Sequence, residues 1–140
     1  MNEIISLRTV EELQRAVAAF PQVGIETHHY FADGMYCRVV HHRAGVLIVG
    51  RVHKKEHFFM VVSGSVLIIS DGKRSELSAP AILVSQPGVK RAAFAVEDSV
   101  VLTVHRTDKT DLAELEAEVC ESDPTSAYGP GNVLKSLEYK

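Results

Sequence analysis

The spacing of hydrophobic residues near the N-terminus is typical of an amphipathic helix. Four of them recur at intervals of three or four positions: Val10, Leu13, Val17 and Phe20. Thr9 followed by Glu12 is a capping-box pattern that can begin such a helix, and Pro21 ends the run. We therefore predict one helix at the start of the chain.

Between about Thr27 and Thr107 the pattern changes to short runs rich in Val, Ile, Phe and Tyr. Dipeptides that favour tight turns separate these runs: Asp33-Gly34, Ala44-Gly45, Ser63-Gly64, Asp71-Gly72 and Pro87-Gly88. The sharpest signal is Asp71-Gly72, because Asp-Gly accepts the positive φ angles of a two-residue hairpin turn. The pattern predicts seven or eight antiparallel strands, and so many short strands suit a sandwich or a jelly-roll barrel.

A second helix is predicted after the strands. Three hydrophobic residues share one of its faces: Leu112, Leu115 and Val119. Thr110 or Asp111 is a suitable N-cap, and the segment from 124 to 140 is expected to form an extended tail. The chain thus divides into a helical segment over 1–24, a barrel over 25–107, and a helix with a tail over 108–140.

The composition is that of an ordinary globular domain, with 140 residues, 46% of them hydrophobic and 24% charged. No apolar run exceeds five residues, whereas a helix that spans a bilayer needs about 20, so we expect no membrane partner. The first residues lack the features of a secretory signal, which favours a cytoplasmic protein. Cys37 and Cys120 are too few for a disulfide framework and are interpreted as reduced thiols.

The net charge of −3 conceals an uneven distribution. Residues 38–55 contain five Lys or Arg, three His and no carboxylate, whereas residues 108–121 contain six carboxylates and one Lys. The basic stretch suits an anion, but the chain lacks the general positive charge of a protein that binds a nucleic-acid duplex. We interpret the acidic stretch as the solvated face of the second helix.

Two segments resemble the two motifs of the cupin superfamily. The first runs from Gly50 to Gly64 and contains His53-Lys54-Lys55-Glu56-His57, and the second is Pro87-Gly88-Val89-Lys90-Arg91. The resemblance covers roughly residues 35 to 107 and implies an all-β, cupin-like jelly-roll barrel. The same two segments are also similar to small single-domain cupins of bacteriophage and prophage genomes.

The usual cupin metal site has three His and one Glu. When Gly64 is aligned with the motif glycine, the residues at those four positions are Arg51, His53, His57 and Arg91. Only His53 keeps the usual residue type. A second alignment, in which Glu56 is the motif carboxylate, needs one extra residue before Gly64 and stays open.

These substitutions leave two interpretations of the pocket. A guanidinium has no lone pair for a metal and repels it, so a metal site needs a third nitrogen, from His105 or less readily from His41. The metal hypothesis therefore places Zn, Mn, Fe or Ni on His53, His57 and His105. The other hypothesis is a pocket without metal.

The residues of the second motif also predict that the pocket binds an anionic ligand. Arg91 presents a planar fork of donors that matches carboxylate or phosphate, and its same-face neighbours Ala93 and Ala95 are small enough to leave space above them. Four residues are predicted to bind the ligand: Tyr36, Arg51, Lys90 and Arg91. The adjacent pairs His28-His29 and His41-His42 are interpreted as surface or rim histidines, since neighbours on a strand point to opposite faces.

Three functions are consistent with these residues. The first is a small-molecule-binding cupin that holds a phosphate, nucleotide or carboxylate. The second is a metal-dependent cupin enzyme, a dioxygenase or isomerase as the resemblance implies. The third is an enzyme without metal in which His53 or His57 is the general base. We also expect a homodimer, because Phe58, Met60 and Val62 lie on the strand face opposite His57 and would form an exposed apolar patch in a monomer.

Overall fold

The computed structural model describes residues 10–17, 22–70, 72–124 and 126–135 of the chain. Helix α1 spans Val10–Val17, and both Val10 and Leu13 are fully buried. The predicted N-terminal helix is therefore confirmed over these positions, while its predicted cap and its predicted end at Pro21 lie outside the described residues.

The described residues contain nine strands, slightly more than the sequence predicts. These are β1 Glu26–Ala32, β2 Met35–His42, β3 Leu47–Val49, β4 His57–Ser63, β5 Ser65–Ser70, β6 Lys73–Ser78, β7 Ala81–Ser85, β8 Ala92–Ala95 and β9 Ser99–Arg106. They form a five-stranded sheet in the order β1-β2-β9-β4-β7 and a four-stranded sheet in the order β3-β8-β5-β6. Within the described ranges no strand pairing closes these sheets into one continuous barrel, so the jelly roll is a two-sheet sandwich.

Side chains alternate across each strand, so each sheet has two faces. The inner faces meet in a hydrophobic cluster of five buried residues: Val61, Val66, Ile68, Ala95 and Val101. The outer face of the four-stranded sheet packs on α1 in a second cluster: Val10, Leu13, Leu47, Ile69 and Ala92. Helix α1 therefore covers the small sheet, and the space between the sheets is left for the core and the site.

Two turns depend on glycine. Gly64 joins β4 to β5 with φ +84°, and a Cβ there would lie 2.5 Å from the Asp98 carbonyl oxygen. No side chain fits at this position, which is the one aligned with the motif glycine. The predicted hairpin is confirmed, because Ser70 pairs with Lys73 and Gly72 has φ +80°, although Asp71 itself lies outside the described residues.

The second helix, α2, spans Leu112–Val119 and begins as predicted at Asp111, whose side chain accepts a hydrogen bond of 3.0 Å from the Glu114 amide. Among the described residues, neither α1 nor α2 has the length and hydrophobicity that a helix needs to cross a membrane.

The segment after α2 differs from the extended tail that the sequence predicts. It contains a short 3₁₀ helix over Pro130–Asn132, and Tyr128 pairs with Leu134. The Tyr128 hydroxyl donates to the Val23 carbonyl oxygen at 2.6 Å, and the Asn132 amide donates to Thr27 Oγ1 at 3.1 Å. These contacts fold the segment back over the start of β1.

Candidate metal centre

The fold brings together three histidines that are far apart in the sequence. His57 is the first residue of β4, His105 lies near the end of β9, and Phe58 pairs with Val104 between these strands. His53 precedes β4 and is held by a bridge to Cys120 at the end of α2. One ring nitrogen from each of the three histidines lies within 4.8 Å of the others.

The rings pack closely against one another. The ring centroids are 4.2 Å apart for His53 and His57, 4.4 Å for His57 and His105, and 5.2 Å for His53 and His105. His57 and His105 are buried and His53 is partly buried. The three residues that the sequence predicted as metal ligands therefore form one compact cluster; whether they bind a metal stays a prediction.

The structure also distinguishes the two motif alignments. His57 lies in the cluster, whereas Glu56 is exposed and accepts a hydrogen bond from Gln86 Nε2 at 3.1 Å. His41, the less favoured source of a third nitrogen, is exposed elsewhere on the five-stranded sheet. The site is thus composed of imidazoles, and no carboxylate takes the motif position.

A backbone contact orients one of the rings. His57 Nδ1 donates to the Lys55 carbonyl oxygen at 3.2 Å. A histidine that donates one N–H to a carbonyl keeps a lone pair on its other ring nitrogen, which is the arrangement that metal-binding histidines use.

Burial keeps the three imidazoles neutral. It lowers the pKa of His53 from 6.5 to about 3, with His57 and Arg38 adding to the effect. It lowers the pKa of His105 to about 2, again with help from the neighbouring histidines and Arg38. The pKa of His57 is lowered as well, chiefly by burial. At neutral pH all three nitrogens are therefore available as ligands without losing a proton first.

A cavity of about 170 Å³ lies between the sheets beside this cluster. His53 and His57 line it together with three arginines: Arg38, Arg51 and Arg91. Its other walls are largely apolar, from residues such as Ile48, Phe59 and Ile68. A few polar groups in an apolar cavity are typical of a small-molecule site.

Arg91 lines the cavity without a carboxylate partner among the described residues. Its Nη1 donates to the buried Ser85 hydroxyl at 2.7 Å, and burial lowers its pKa. Arg51 also lines the cavity, and its Nη2 donates to the Glu121 carbonyl oxygen at 2.8 Å, while its Nε is buried without a hydrogen-bond partner. These two guanidiniums therefore have no partner of opposite charge in the part of the chain that the structure describes.

Arg38 is different, because it forms a buried ion pair of 2.7 Å with Glu116 of α2. The interpretation of the acidic stretch as a solvated helix face is therefore wrong at Glu116. This residue is only 5% exposed and lines the cavity. The helical period contained the signal: Glu116 lies four residues after Leu112 and one after Leu115, on the buried face of α2.

Tyr36 and Lys90, two of the predicted ligand-binding residues, lie outside the cavity lining. Tyr36 is completely buried, and its hydroxyl contacts Arg38 Nε at 3.0 Å and His29 Nδ1 at 2.6 Å. Lys90 hydrogen-bonds Gln14 of α1 and lies 3.6 Å from the Asp123 carboxylate. Tyr36 thus supports the Arg38 side of the site, and Lys90 links α1 to the segment after α2.

The donor set fits a divalent transition ion. Three neutral imidazoles are suitable ligands for Zn, Mn, Fe or Ni, and their spacing permits contact with one ion. The guanidiniums oppose a bare cation electrostatically, but Arg38 is neutralised by Glu116, and His105 supplies a third nitrogen in place of the two motif positions that Arg51 and Arg91 hold.

No protein-family model and no curated protein matches the sequence. Solved structures with the same fold do match. KdgF from a Halomonas species is 18% identical, with a TM-score of 0.55 over 64% of this chain and 86% of that one. An RmlC-like cupin from Shewanella frigidimarina is 17% identical, with a TM-score of 0.54 over 66% of this chain and 84% of that one.

A further match is a salicylate 1,2-dioxygenase variant from Pseudoaminobacter salicylatoxidans, solved in complex with gentisate. It is 16% identical, with a TM-score of 0.53 over 65% of this chain and 29% of that one. These identities define the fold and leave the ligand open, and the narrower resemblance to phage and prophage proteins stays a prediction. The strand order, the motif glycine and these neighbours agree that the chain has the jelly-roll fold of the cupin proteins.

Proposed function

We propose that the protein binds a small organic anion in the cavity, beside a divalent metal ion held by His53, His57 and His105. The convergence of three neutral imidazoles within 4.8 Å, next to an apolar cavity, is the observation that carries this proposal. When bound, the ion would supply Lewis-acid polarisation of a ligand oxygen.

The charge of the cavity favours an anion. Arg91 and Arg51 have no carboxylate partner among the described residues, and desolvating a cation without a partner is unfavourable. A ligand carboxylate would provide that partner. Arg91 would orient it through its planar fork, with the Ser85 hydroxyl fixing the direction of the guanidinium.

The size of the cavity favours a carboxylate of a small aromatic or aliphatic acid over a nucleotide. A volume of about 170 Å³ is close to that of a cavity that holds one benzene ring, about 150 Å³. The structural neighbour in complex with gentisate supports the same class.

A metal-dependent enzyme is the second candidate. Three protein ligands are typical of catalytic metal sites, which keep a coordination position for water or substrate, whereas structural zinc sites use four. The cluster contains three histidines and no fourth ligand among the described residues. This count favours a catalytic metal site over a structural one, and the resemblance to cupins implies a dioxygenase or an isomerase.

Thermal denaturation tests the anion site. We expect benzoate to raise the Tm of the wild type more than AMP does, by an amount set by the ratio of its concentration to its Kd. Arg91→Ala should lose that rise. Arg106→Ala is the matched control, since it removes an exposed arginine at the end of β9, outside the cavity lining. Equal shifts in wild type and Arg91→Ala would overturn the anion site.

We also propose that the protein is a homodimer. Four large apolar residues on the outer face of β4 and β7 are each 47–69% exposed: Phe58, Val62, Ile82 and Val84. They are contiguous, because Phe58 pairs with Val84, and Met60 pairs with Ile82. Leu102 and Val104 on β9 extend this uncharged surface. An uncharged apolar patch is self-complementary and suits a second copy of the chain.

Light scattering tests this assembly. We expect the mass of a dimer for the wild type and of a monomer for Ile82→Lys, because the new charges would face each other across the two-fold axis. Val96→Lys is the control, since Val96 is an exposed valine outside the patch. A monomeric wild type would contradict the proposal.

A further inference from the structure

A second three-donor cluster lies on the outer face of the five-stranded sheet. Glu26 and His28 are two residues apart on β1, and His41 on β2 pairs directly with Glu26. The three side chains therefore project from the same face. Their ligand atoms, one carboxylate oxygen and two imidazole nitrogens, all lie within 4.8 Å of one another.

The distances within this cluster suit a metal ion. Glu26 Oε2 lies 2.9 Å from His28 Nε2 and 3.6 Å from His41 Nε2. A tetrahedral ion with bonds of about 2.0–2.2 Å separates its ligand atoms by about 3.3–3.6 Å. Small rotations of exposed side chains would therefore bring all three atoms to bonding distance.

The backbone that carries the cluster is regular. Strands β1 and β2 pair without a break from Glu26↔His41 to Ala32↔Met35, so the three Cα positions are fixed by the sheet. Arg43 lines the same cleft as Glu26 and His41, but it is exposed, so solvent and salt screen its repulsion of a bound cation. Glu26 and His41 also line a surface cleft of about 330 Å³, which leaves room for water on a bound ion.

We propose that Glu26, His28 and His41 form a surface site for a divalent transition ion of the Zn²⁺, Ni²⁺ or Cu²⁺ class. Two imidazoles and one carboxylate are the donors that these ions accept, whereas Mg²⁺ and Ca²⁺ prefer oxygen ligands alone. The site is separate from the interior cluster, because it lies on the opposite face of the sheet, and from the apolar patch on β4 and β7, because strand β9 lies between the site and the patch. It does not depend on the function proposed for the cavity.

Calorimetric titration with Zn²⁺ alone at pH 7.5 tests this site. In a His53→Gln background, which lacks one interior ligand, we expect one equivalent of zinc to bind. Adding Glu26→Gln or His28→Gln should raise its Kd at least about tenfold. Adding Glu76→Gln should leave it unchanged, since Glu76 is an exposed carboxylate on β6 of the other sheet. The side chains of Glu26 and His28 are about half exposed, so the variants at these two positions should fold.

Absence of zinc binding in the His53→Gln background would overturn the surface site, and so would an equal Kd for the Glu26→Gln and Glu76→Gln variants. The same titration separates it from the cavity proposal. If only the surface site exists, the wild type binds one equivalent, and Glu26→Gln removes it. If only the interior site exists, Glu26→Gln has no effect on the wild type.

Discussion

The two faces of the five-stranded sheet carry similar residues in opposite environments. Each face has a cluster of three potential metal ligands that includes histidines, and β1 and β2 supply histidines to both faces. His28 and His41 point outward, whereas the next residues, His29 and His42, point inward. The difference between the clusters is thus one of strand alternation and burial rather than of residue type.

Burial determines which groups each histidine contacts. The inward His42 is 1% exposed and contacts the Val46 carbonyl oxygen at 2.7 Å, and burial lowers its pKa. The outward His28 contacts a carboxylate, that of Glu26. Inner histidines are therefore held neutral by backbone and cavity, and outer ones lie beside a charge. Three predictions test this contrast.

The largest expected effect concerns the buried ion pair. Glu116→Gln should destabilise the protein by about 3–5 kcal/mol, because it leaves the Arg38 guanidinium buried without a counter-charge. The side chains of this pair are only 16% and 6% exposed. Glu118→Gln is the control on the same helix; its partner Lys55 is 54% exposed, and the free energy of unfolding should not change. Urea unfolding measures both, and equal effects would contradict the contrast.

A smaller effect is expected from adjacent valines on β4. Val61 is 1% exposed in the inner core, and Val62 is 50% exposed on the outer face. Val61→Ala should destabilise the protein by about 2 kcal/mol through a cavity in the core, and Val62→Ala by less than about 0.5 kcal/mol. Unfolding is to be measured at a low protein concentration, so that dimerisation does not contribute. If Val62→Ala destabilised the protein more than Val61→Ala does, the assignment of Val61 to the inner face of β4 and Val62 to the outer face would be wrong.

The smallest expected effect is on the pH dependence of stability in metal-free protein. His105 stays neutral in the folded state down to about pH 2, whereas it takes up a proton near pH 6.5 when unfolded. The unfolded state therefore binds more protons, and stability falls as the pH drops below 6.5. His105→Gln should remove about 1 kcal/mol of the loss between pH 6.5 and 5.5. An unchanged slope in His105→Gln would contradict the buried, neutral cluster.

The sequence is sufficient to predict the three interior histidines, although they are far apart in the chain, because two kinds of information combine. Alternation along β4 and β9 is local and determines which residues face inward. The resemblance to the cupin motifs supplies the long-range part, since the motif glycine sets the alignment of His53 and His57. The first helix follows from its hydrophobic period, which depends only on neighbours within a few positions.

The sequence is insufficient where two elements meet. It predicts a solvated Glu116, because the partner of Glu116, Arg38, lies 78 residues away on β2. It does not indicate the outer cluster, because the register that places His41 opposite Glu26 joins two strands. It predicts that Lys90 binds the ligand, because Lys90 is next to Arg91, whereas the contact of Lys90 with α1 depends on how the helix packs.

The most direct test of the central claim is a crystal structure of the protein soaked with zinc, with anomalous scattering measured at the zinc edge. The account predicts a peak among His53, His57 and His105, about 2.0–2.1 Å from one nitrogen of each ring. A peak only at Glu26, His28 and His41, or none in the crystal, would contradict the interior metal site.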